Sequence, residues 1–503
     1  MLLELLLTGC NAVFVPMNIV MGIIGTFLGL ILGALPGIGP PLSVALLLPL
    51  IFGMDPVTGT ILMIGVFNGS VYGGSISAIL INTPGEPGNV ATCFDGYPMA
   101  RQGRAGEAMG ASVVSSVLGG LITSAFFIFL LVPIAKLSLK FGPSQMFLII
   151  VLALGTVSRL ATGSMLKGII SSGIGILLGL VGYDLMSGTS RFTFGYIYLK
   201  GGLDLVVALI GWFAITELLF LVQMKGTTVS PAALKARSVF KGGKEVFKHL
   251  RLVGESSLIG SFLGALPGIG VALANLVAYG NAKSSSKHPE RFGTGIIEGV
   301  IAPESANNAV TGCSLIPTLA LGIPGGATLA VILGGLMILG VTPGPRLVNE
   351  DPRLIGSIMV SLILVNLILL VIGFGLVSVY QLITRVRTGY LIPVILAICY
   401  FGAYITRHYV ADIFFMIVLG FLAYGMRKAQ YSIPCMVLGF VLAKMLEENF
   451  HKSLLISDKG YFIFIEWPSN ILIILIGVAV YLLPVFSRGI REMRLKRYSG
   501  DAS

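Results

Sequence analysis

Long stretches without any charged residue constrain this chain most. Residues 5–54, 56–85, 108–135, 305–345 and 354–384 contain no Asp, Glu, Lys, Arg or His. Each stretch is longer than the about 20 residues that cross a bilayer as a helix. Only 11% of the 503 residues are charged, whereas about 25% are charged in soluble proteins. Because the apolar runs are continuous, they predict helices and exclude the alternating strands of a membrane barrel. We therefore predict an all-α polytopic membrane protein.

One seven-residue sequence occurs twice in the chain. Gly-Ala-Leu-Pro-Gly-Ile-Gly occupies residues 33–39 and recurs 231 positions later, at 264–270. A second Pro-Gly interruption follows in each half, within residues 82–88 and 322–326. These matches predict two homologous repeats, and the apolar runs predict about 12 transmembrane segments in total. The predicted units are an N-terminal transmembrane repeat (1–224), a linker (225–252), a C-terminal repeat with extra spans (253–487) and a tail (488–503).

The basic residues cluster between and after the apolar runs. The linker contains seven Lys or Arg residues and one acidic residue, Glu245. Cytoplasmic loops carry an excess of Lys and Arg, so the basic linker and the basic tail are both predicted to be cytoplasmic. This topological role accounts for the net charge of +11, and no nucleic-acid partner is predicted. The five Cys residues form no Cys-x-x-Cys pair, which predicts no disulfide framework and no metal site beyond a sodium site.

Pro and Gly in the middle of an apolar helix predict a break. Pro removes a backbone hydrogen bond, and Gly permits backbone angles that end the helix. Unwound backbone survives in a membrane only where protein buries it or where it lines a wet cavity. Paired breaks in the two halves of a transporter mark its binding site, where helix N-termini attract anions and freed carbonyl groups bind cations. We therefore predict broken helices and re-entrant hairpins around a carboxylate substrate and a coupling cation.

The predicted binding residues come from these breaks and from the polar segments beside them. In the first half they are Pro36, Gly37, Gly39, Gly73, Gly74, Ser75, Ser77, Asn82, Pro84 and Gly85. In the second half they are Pro267, Gly268, Gly270, Glu304, Ser305, Asn307, Asn308, Pro324 and Gly325. The competing interpretation for any single Gly or Ser is close helix packing.

Glu304 borders the charge-free stretch 305–345. A carboxylate inside a membrane is a functional hypothesis by default. Glu304 is therefore a proton carrier or a cation ligand, with a loop-end residue as the alternative. Asp55, Glu86 and Asp95 are instead expected at the membrane interfaces, because each lies beside Pro or Gly at the end of an apolar run.

Several motifs resemble the large membrane subunit of tripartite tricarboxylate transporters. They are the doubled Gly-Ala-Leu-Pro-Gly-Ile-Gly sequence and residues 72–80, 95–103 and 303–309. The resemblance implies a multi-pass secondary transporter of the bacterial inner membrane, which imports di- or tricarboxylic acids by symport with sodium ions or protons. It also implies two protein partners, a periplasmic solute-binding protein and a small four-span membrane subunit. No cofactor besides the coupling ion is implied.

Two other classes of function compete with a carrier. An intramembrane enzyme needs a nucleophile with its base, a metal cluster or a catalytic carboxylate pair. The sequence shows none of these, so we predict that the chain is not an enzyme. A channel is the second alternative, but a tandem duplication with paired breaks is typical of carriers. Saturable flux that requires an ion gradient distinguishes a carrier from a channel.

Overall fold

The computed structural model describes residues 2–35, 37–160, 164–184, 186–223, 236–266, 270–376 and 388–479. These residues are almost entirely helical. Their two short strands, β1 (Gly182–Tyr183) and β2 (Ser190–Arg191), pair in antiparallel fashion as a small hairpin. The predicted all-α membrane class is confirmed.

Eleven α-helices precede the basic segment. They are α1 (Leu2–Val13), α2 (Pro16–Ala34), α3 (Pro40–Ile51), α4 (Pro56–Ile81), α5 (Val90–Met99), α6 (Ala105–Ser138), α7 (Pro143–Leu160), α8 (Met165–Gly179), α9 (Ile197–Lys200), α10 (Leu205–Leu209) and α11 (Thr216–Gln223). A 3-10 turn (Pro87–Asn89) precedes α5, and π-helical segments join α5 to α6 (Ala100–Arg104) and α10 to α11 (Ile210–Ile215).

Twelve α-helices follow in the rest of the described chain. They are α12 (Ala236–Val246), α13 (Leu250–Ala265), α14 (Gly270–Ser285), α15 (Glu298–Leu321), α16 (Ala327–Ile338), α17 (Leu347–Glu350), α18 (Pro352–Gly375), α19 (Thr388–Arg407), α20 (Val410–Lys428), α21 (Ile433–Ile456), α22 (Ile463–Glu466) and α23 (Pro468–Ala479). Short 3-10 turns lie at Phe247–His249, Pro289–Arg291 and Gly460–Phe462.

Acidic caps start two of the long helices. The Asp55 side chain accepts a hydrogen bond from the Val57 amide at the start of α4, at 3.1 Å. The Asp351 side chain accepts one from the Leu354 amide at the start of α18, at 2.9 Å. In both cases Pro is the first helical residue, where its missing N–H costs nothing. Asp55 and Asp351 therefore define where α4 and α18 begin.

Six described helices are long and apolar enough to cross a membrane: Pro16–Ala34, Pro56–Ile81, Pro87–Ser138, Leu205–Gln223, Pro352–Gly375 and Val410–Lys428. A pair bent by 76°, Gly460–Glu466 with Pro468–Ala479, adds a seventh if it forms one span. Other apolar helices are shorter, and α3 and α16 have only 12 residues each. Twelve residues extend about 18 Å, less than the about 30 Å of hydrocarbon. The chain is a multi-pass membrane protein, and the expected count of about 12 spans stays a prediction.

Two helix pairs pack through glycines at corresponding positions. Gly29 of α2 lies against the backbone of Val66 in α4, and Gly260 of α13 lies against the backbone of Ala306 in α15. Small residues allow helix backbones to touch in a membrane. The glycines are separated by 231 positions, the offset of the doubled motif. Their partners are separated by 240, which is also the spacing between Pro84 and Pro324 in the second Pro-Gly interruptions. The same offsets hold one turn later, where Gly33 and Gly264 lie against Ser70 and Val310.

Helices from the two sides of the basic segment pack against each other. The long helix α6 lies along α15, while α1 lies along α18 and α8 along α21. The core therefore contains elements from both predicted repeats, and polar groups from distant parts of the sequence meet inside it.

The predicted linker is helical where the structure describes it. It contains α12 and the first residues of α13, and α12 packs along α6. At this contact, Gly242 of α12 lies against the backbone of Glu107 in α6. Residues 224–235 and the predicted tail lie outside the described residues.

Candidate functional site

Helix α15 places the carboxylate of Glu304 inside the protein, where its side chain is fully buried. Four hydroxyl groups from α4, α5 and α6 donate hydrogen bonds to this carboxylate. Ser75 Oγ lies 2.7 Å from Oε1 and 2.8 Å from Oε2, and Thr92 Oγ1 lies 2.5 Å from Oε1. Ser112 Oγ and Ser116 Oγ each lie 3.0 Å from Oε2. The hydroxyl groups thus form a ring around one acidic side chain.

This arrangement suits an ionised Glu304. An ionised carboxylate is purely an acceptor, and hydrogen bonds to it are about twice as strong as those between neutral groups. Its burial still costs several kcal/mol unless a positive charge compensates it. Glu304 takes part in no ion pair with a described Lys, Arg or His. The described part of the site therefore offers a negative charge that a mobile cation can neutralise.

The break after α4 supplies the next layer of polar groups. Helix α4 ends at Asn82, whose φ of 55° is left-handed. The chain then turns back, and the Gly85 amide donates to the Gly74 carbonyl at 3.4 Å. This return brings Asn89 beside α4, where its Nδ2 donates to Ser75 Oγ at 2.9 Å. A continuous chain of hydrogen bonds therefore runs from the break through Ser75 to Glu304.

Several buried amide groups near this break have no hydrogen-bond partner. Neither amide atom of Asn307 is paired, and the same holds for Oδ1 of Asn89 and of Asn275. The side chains of Asn307 and Asn275 both lie close to Gly88. A Cβ added to Gly88 would lie 3.0 Å from Asn307 Oδ1 and 3.3 Å from Asn275 Nδ2. Unpaired buried polar groups are rare, because each costs about 1–3 kcal/mol. They mark the place where a polar ligand gains the most.

A second carboxylate belongs to the same region. Glu86 lies in the break after α4, and its buried Oε1 has no hydrogen-bond partner. Burial and, to a smaller extent, the neighbouring Glu304 carboxylate raise the pKa of Glu86 to about 8. Gly39, the residue that precedes α3, lies beside the same turn. A Cβ added to Gly39 would lie 3.6 Å from the Gly85 carbonyl oxygen. The N-terminus of α3 thus points its positive dipole end toward this break.

Asp95 was expected at a membrane interface, but its side chain is fully buried and accepts hydrogen bonds from a loop. Its Oδ1 accepts hydrogen bonds from the amides of Gly293, Gly295 and Ile296 at 2.8–3.0 Å. Its Oδ2 accepts one from the Tyr279 hydroxyl at 2.8 Å. Asp95 therefore fastens α5 to α14 and to the loop that starts α15, which positions Glu304. Asp55 differs, because its side chain is largely exposed and 3.6 Å from Arg353.

The structure brings part of the predicted site together. Gly74 and Ser75 of α4 meet the turn that contains Asn89, and Ser75 connects them to Glu304. Asn307 faces the same turn, and Asn308 Nδ2 lies 3.5 Å from the Glu304 carbonyl of its own helix.

Other predicted residues make different contacts. Gly73 packs on the backbone of α2, Ser77 Oγ donates to the Gly74 carbonyl of its own helix, and the Ser305 backbone lies against Gly119 of α6. Helix packing, the competing interpretation, describes Gly73 and Ser305. Pro324 and Gly325 lie in the turn between α15 and α16, where Gly325 lies near Ser314.

The remaining predicted residues lie at the breaks themselves. Gly37 has a φ of 86° and lies beside Glu217 of α11, and Gly270 is the first residue of α14. Asn82 is exposed and Pro84 is half-buried at the end of α4. Pro36, Pro267 and Gly268 lie outside the described residues.

Sequence reasoning missed five residues of the site: Asn89, Thr92, Ser112, Ser116 and Asn275. The sequence could have predicted that Ser112 and Ser116 act together. They are four residues apart, which places them on one face of a helix, and both lie in a charge-free stretch. The other three reach the site only through the return of the chain after α4 and the start of α14. Within the described ranges, no three His, Cys, Asp or Glu side chains form a cluster that could hold a metal ion.

Comparison with known proteins identifies the family of this chain. The model of the tripartite tricarboxylate transporter TctA family matches residues 19–438. An uncharacterized 52.8 kDa protein in the TAR-I ttuC' 3' region of Agrobacterium vitis is 37% identical over 95% of both chains. A protein in the TAR-II ttuC' 3' region of that organism is 35% identical over 44% of this chain and 93% of its own. No solved structure matches. Since the family model covers most of its length, this chain belongs to the tripartite tricarboxylate transporter TctA family.

Proposed function

We propose that this chain is the large transmembrane subunit of a binding-protein-dependent secondary transporter in the bacterial inner membrane. It imports di- or tricarboxylic acids together with sodium ions or protons. Its partners are a periplasmic solute-binding protein and a small four-span membrane subunit. Membership of the family supports the transport role. The observation that carries the coupling is the buried Glu304 carboxylate, which has no cationic side chain beside it in the described structure.

Charge balance gives a physical reason for coupling at this site. A cation beside Glu304 neutralises the buried carboxylate, whose isolated charge is costly. An organic acid brings negative charge of its own, and it can reach the positive end of the α3 dipole and the unpaired Nδ2 of Asn307. Cation and anion therefore stabilise each other, which makes their binding cooperative. A site that holds the acid without the cation carries the uncompensated negative charges of both the acid and Glu304, and it resists movement across the membrane.

We propose sodium as the coupling ion to test first. Carboxylate, hydroxyl and amide oxygens are the ligands of hard cations. Around Glu304 these oxygens belong to the four hydroxyl groups, and the unpaired Oδ1 atoms of Asn89 and Asn307 lie in the neighbouring turn and helix. Proton coupling is the alternative, since protonation also neutralises a carboxylate.

Uptake into vesicles tests the proposal. The chain is reconstituted with its small subunit and its binding protein, and a panel of radiolabelled organic acids is offered under an imposed sodium or proton gradient. We expect saturable accumulation of one acid that requires the binding protein and the sodium gradient. Accumulation under a proton gradient alone would assign the proton instead. Flux that rises linearly with concentration and ignores both gradients would contradict a carrier and favour a channel.

Asn307→Ala provides a local prediction. If Asn307 contacts a ligand, its loss removes hydrogen bonds worth about 1.5–3 kcal/mol to a charged group. We expect the half-saturating concentration of substrate or cation to rise at least about tenfold, with the amount of inserted protein unchanged. Asn349→Ala is the matched control, because Asn349 is an exposed residue of α17. Equal uptake kinetics in the two variants would remove Asn307 from the site.

A further inference from the structure

An apolar cleft lies where α12 crosses α6 and α18. It holds about 260 Å³ and is lined by side chains that include Val117 and Leu121 of α6, Phe247 of the 3-10 turn after α12, and Leu367 and Leu370 of α18. Its walls are well packed, because the rings of Phe240 and Phe374 stack with centroids 4.9 Å apart. The cleft is separate from Glu304 and has no part in the proposed transport site.

The mouth of the cleft carries one positive charge. Among the described residues that line it, Lys244 alone is charged, and its side chain is exposed. Its neighbours on the same helix face are paired, since Lys241 lies 2.6 Å from Glu107 and Lys248 lies 2.9 Å from Glu245. Lys244 has no such acidic partner in the described part of the chain. An ammonium group is therefore available where the apolar walls open.

The surface of α12 is that of a helix at a membrane interface. Phe240 of α12 and Phe247 of the 3-10 turn after it are 55% and 58% exposed, beside the basic residues of this segment. Aromatic and basic side chains together are typical of interfacial helices. The excess of Lys and Arg in this segment predicts the cytoplasmic side, and the cytoplasmic leaflet contains anionic lipids. The cleft and Lys244 thus lie where the head groups and the chains of such lipids meet.

We propose that the cleft binds an acyl chain of an anionic phospholipid whose phosphate pairs with Lys244. The apolar walls match a hydrocarbon chain, and the free ammonium matches the phosphate. A peptide segment fits less well, because its backbone polar groups would lose water against walls that offer no hydrogen bonds. A lipid held here joins α12 to α6 and α18, and so connects the basic segment between the halves to the helix that carries Ser112 and Ser116.

Photolabelling tests this binding directly. The purified full chain is reconstituted in phosphatidylcholine vesicles that contain a trace of phosphatidylglycerol with a photoreactive group in its acyl chain. After irradiation, we expect mass spectrometry to find the label on the peptides of α6 and α18 that line the cleft. Lys244→Gln should reduce this labelling about fivefold, because each basic residue near an anionic lipid contributes about 1 kcal/mol. Lys244→Arg keeps the charge and should keep the labelling.

A pair of tryptophan variants tests the cleft itself. Leu367→Trp fills the cleft and should remove the label from its walls. Val371→Trp places the same side chain one turn later on α18, where Val371 is 72% exposed and does not line the cleft, and should leave the labelling unchanged. Thermal unfolding of each variant confirms that it is folded.

Three results would overturn the proposal. The first is equal labelling by phosphatidylcholine that carries the same photoreactive chain, because the negative charge of the lipid head group would then not contribute to binding. The second is labelling of the wall peptides that survives Leu367→Trp in folded protein. The third is loss of the label when the small membrane subunit is added, since a protein would then occupy the cleft in the assembled transporter.

Discussion

Glu304→Gln is expected to abolish cation-coupled uptake while the protein still folds and inserts. Gln keeps the shape of the side chain. Its amide oxygen at the position of Oε1 can still accept hydrogen bonds from Ser75 and Thr92, and its NH2 group at the position of Oε2 can donate to the Ser112 hydroxyl oxygen. It removes the negative charge that the coupling cation pairs with. Breaking a buried ion pair costs about 3–5 kcal/mol, which corresponds to a loss of at least about a hundredfold in cation affinity. Uptake under an imposed sodium gradient measures this loss.

Glu298→Gln is the matched control. Glu298 lies in the first turn of the same helix, and its side chain is 26% exposed near His249. The same loss of one charge there should leave uptake and its sodium dependence unchanged. If Glu304→Gln transports with the sodium dependence of the unmodified protein, Glu304 has no part in coupling. A Glu304→Gln protein that fails to insert would instead assign the carboxylate a role in folding.

Gly29→Leu is expected to destabilise the protein strongly. A side chain at this position meets the backbone of Val66, which cannot move aside as a flexible side chain can. Helices α2 and α4 must then separate, and overpacking of this kind costs about 3 kcal/mol or more. Gly260→Leu should cause a similar loss, because Gly260 meets the backbone of Ala306 in the corresponding way. Thermal unfolding in detergent and the amount of inserted protein both report the effect.

Gly254→Leu serves as the control for both substitutions. Gly254 lies in α13, and a Cβ built there meets nothing within 4 Å. This variant should unfold at or above the temperature of the unmodified protein, because Gly is a poor helix former. If Gly29→Leu unfolds like Gly254→Leu, the close approach of α2 and α4 does not contribute to stability. A large loss for Gly29→Leu with none for Gly260→Leu would argue against equivalent packing in the two halves.

The acidic residues show how far sequence reasoning reaches. The position of Glu304 beside a long charge-free stretch was enough to single it out. Glu86 and Asp95 were expected at the membrane interfaces from their position beside Pro or Gly. In the fold, however, one oxygen of Glu86 is buried without a hydrogen-bond partner, and Asp95 binds three backbone amides. Neighbours in the sequence could not reveal these partners, because the partners of Asp95 come from a loop about 200 positions away.

The division between sequence and tertiary structure follows from the range of the forces involved. Apolar runs, mid-helix Pro and Gly, and the doubled motif act through solvation and local backbone geometry, so the sequence by itself determined the membrane class and the breaks, and it made Glu304 a candidate. Hydrogen bonds and close packing need partners that are near in space. Only the tertiary structure therefore decided that Ser75, Thr92, Ser112 and Ser116 surround one carboxylate, and that α12 closes an apolar cleft.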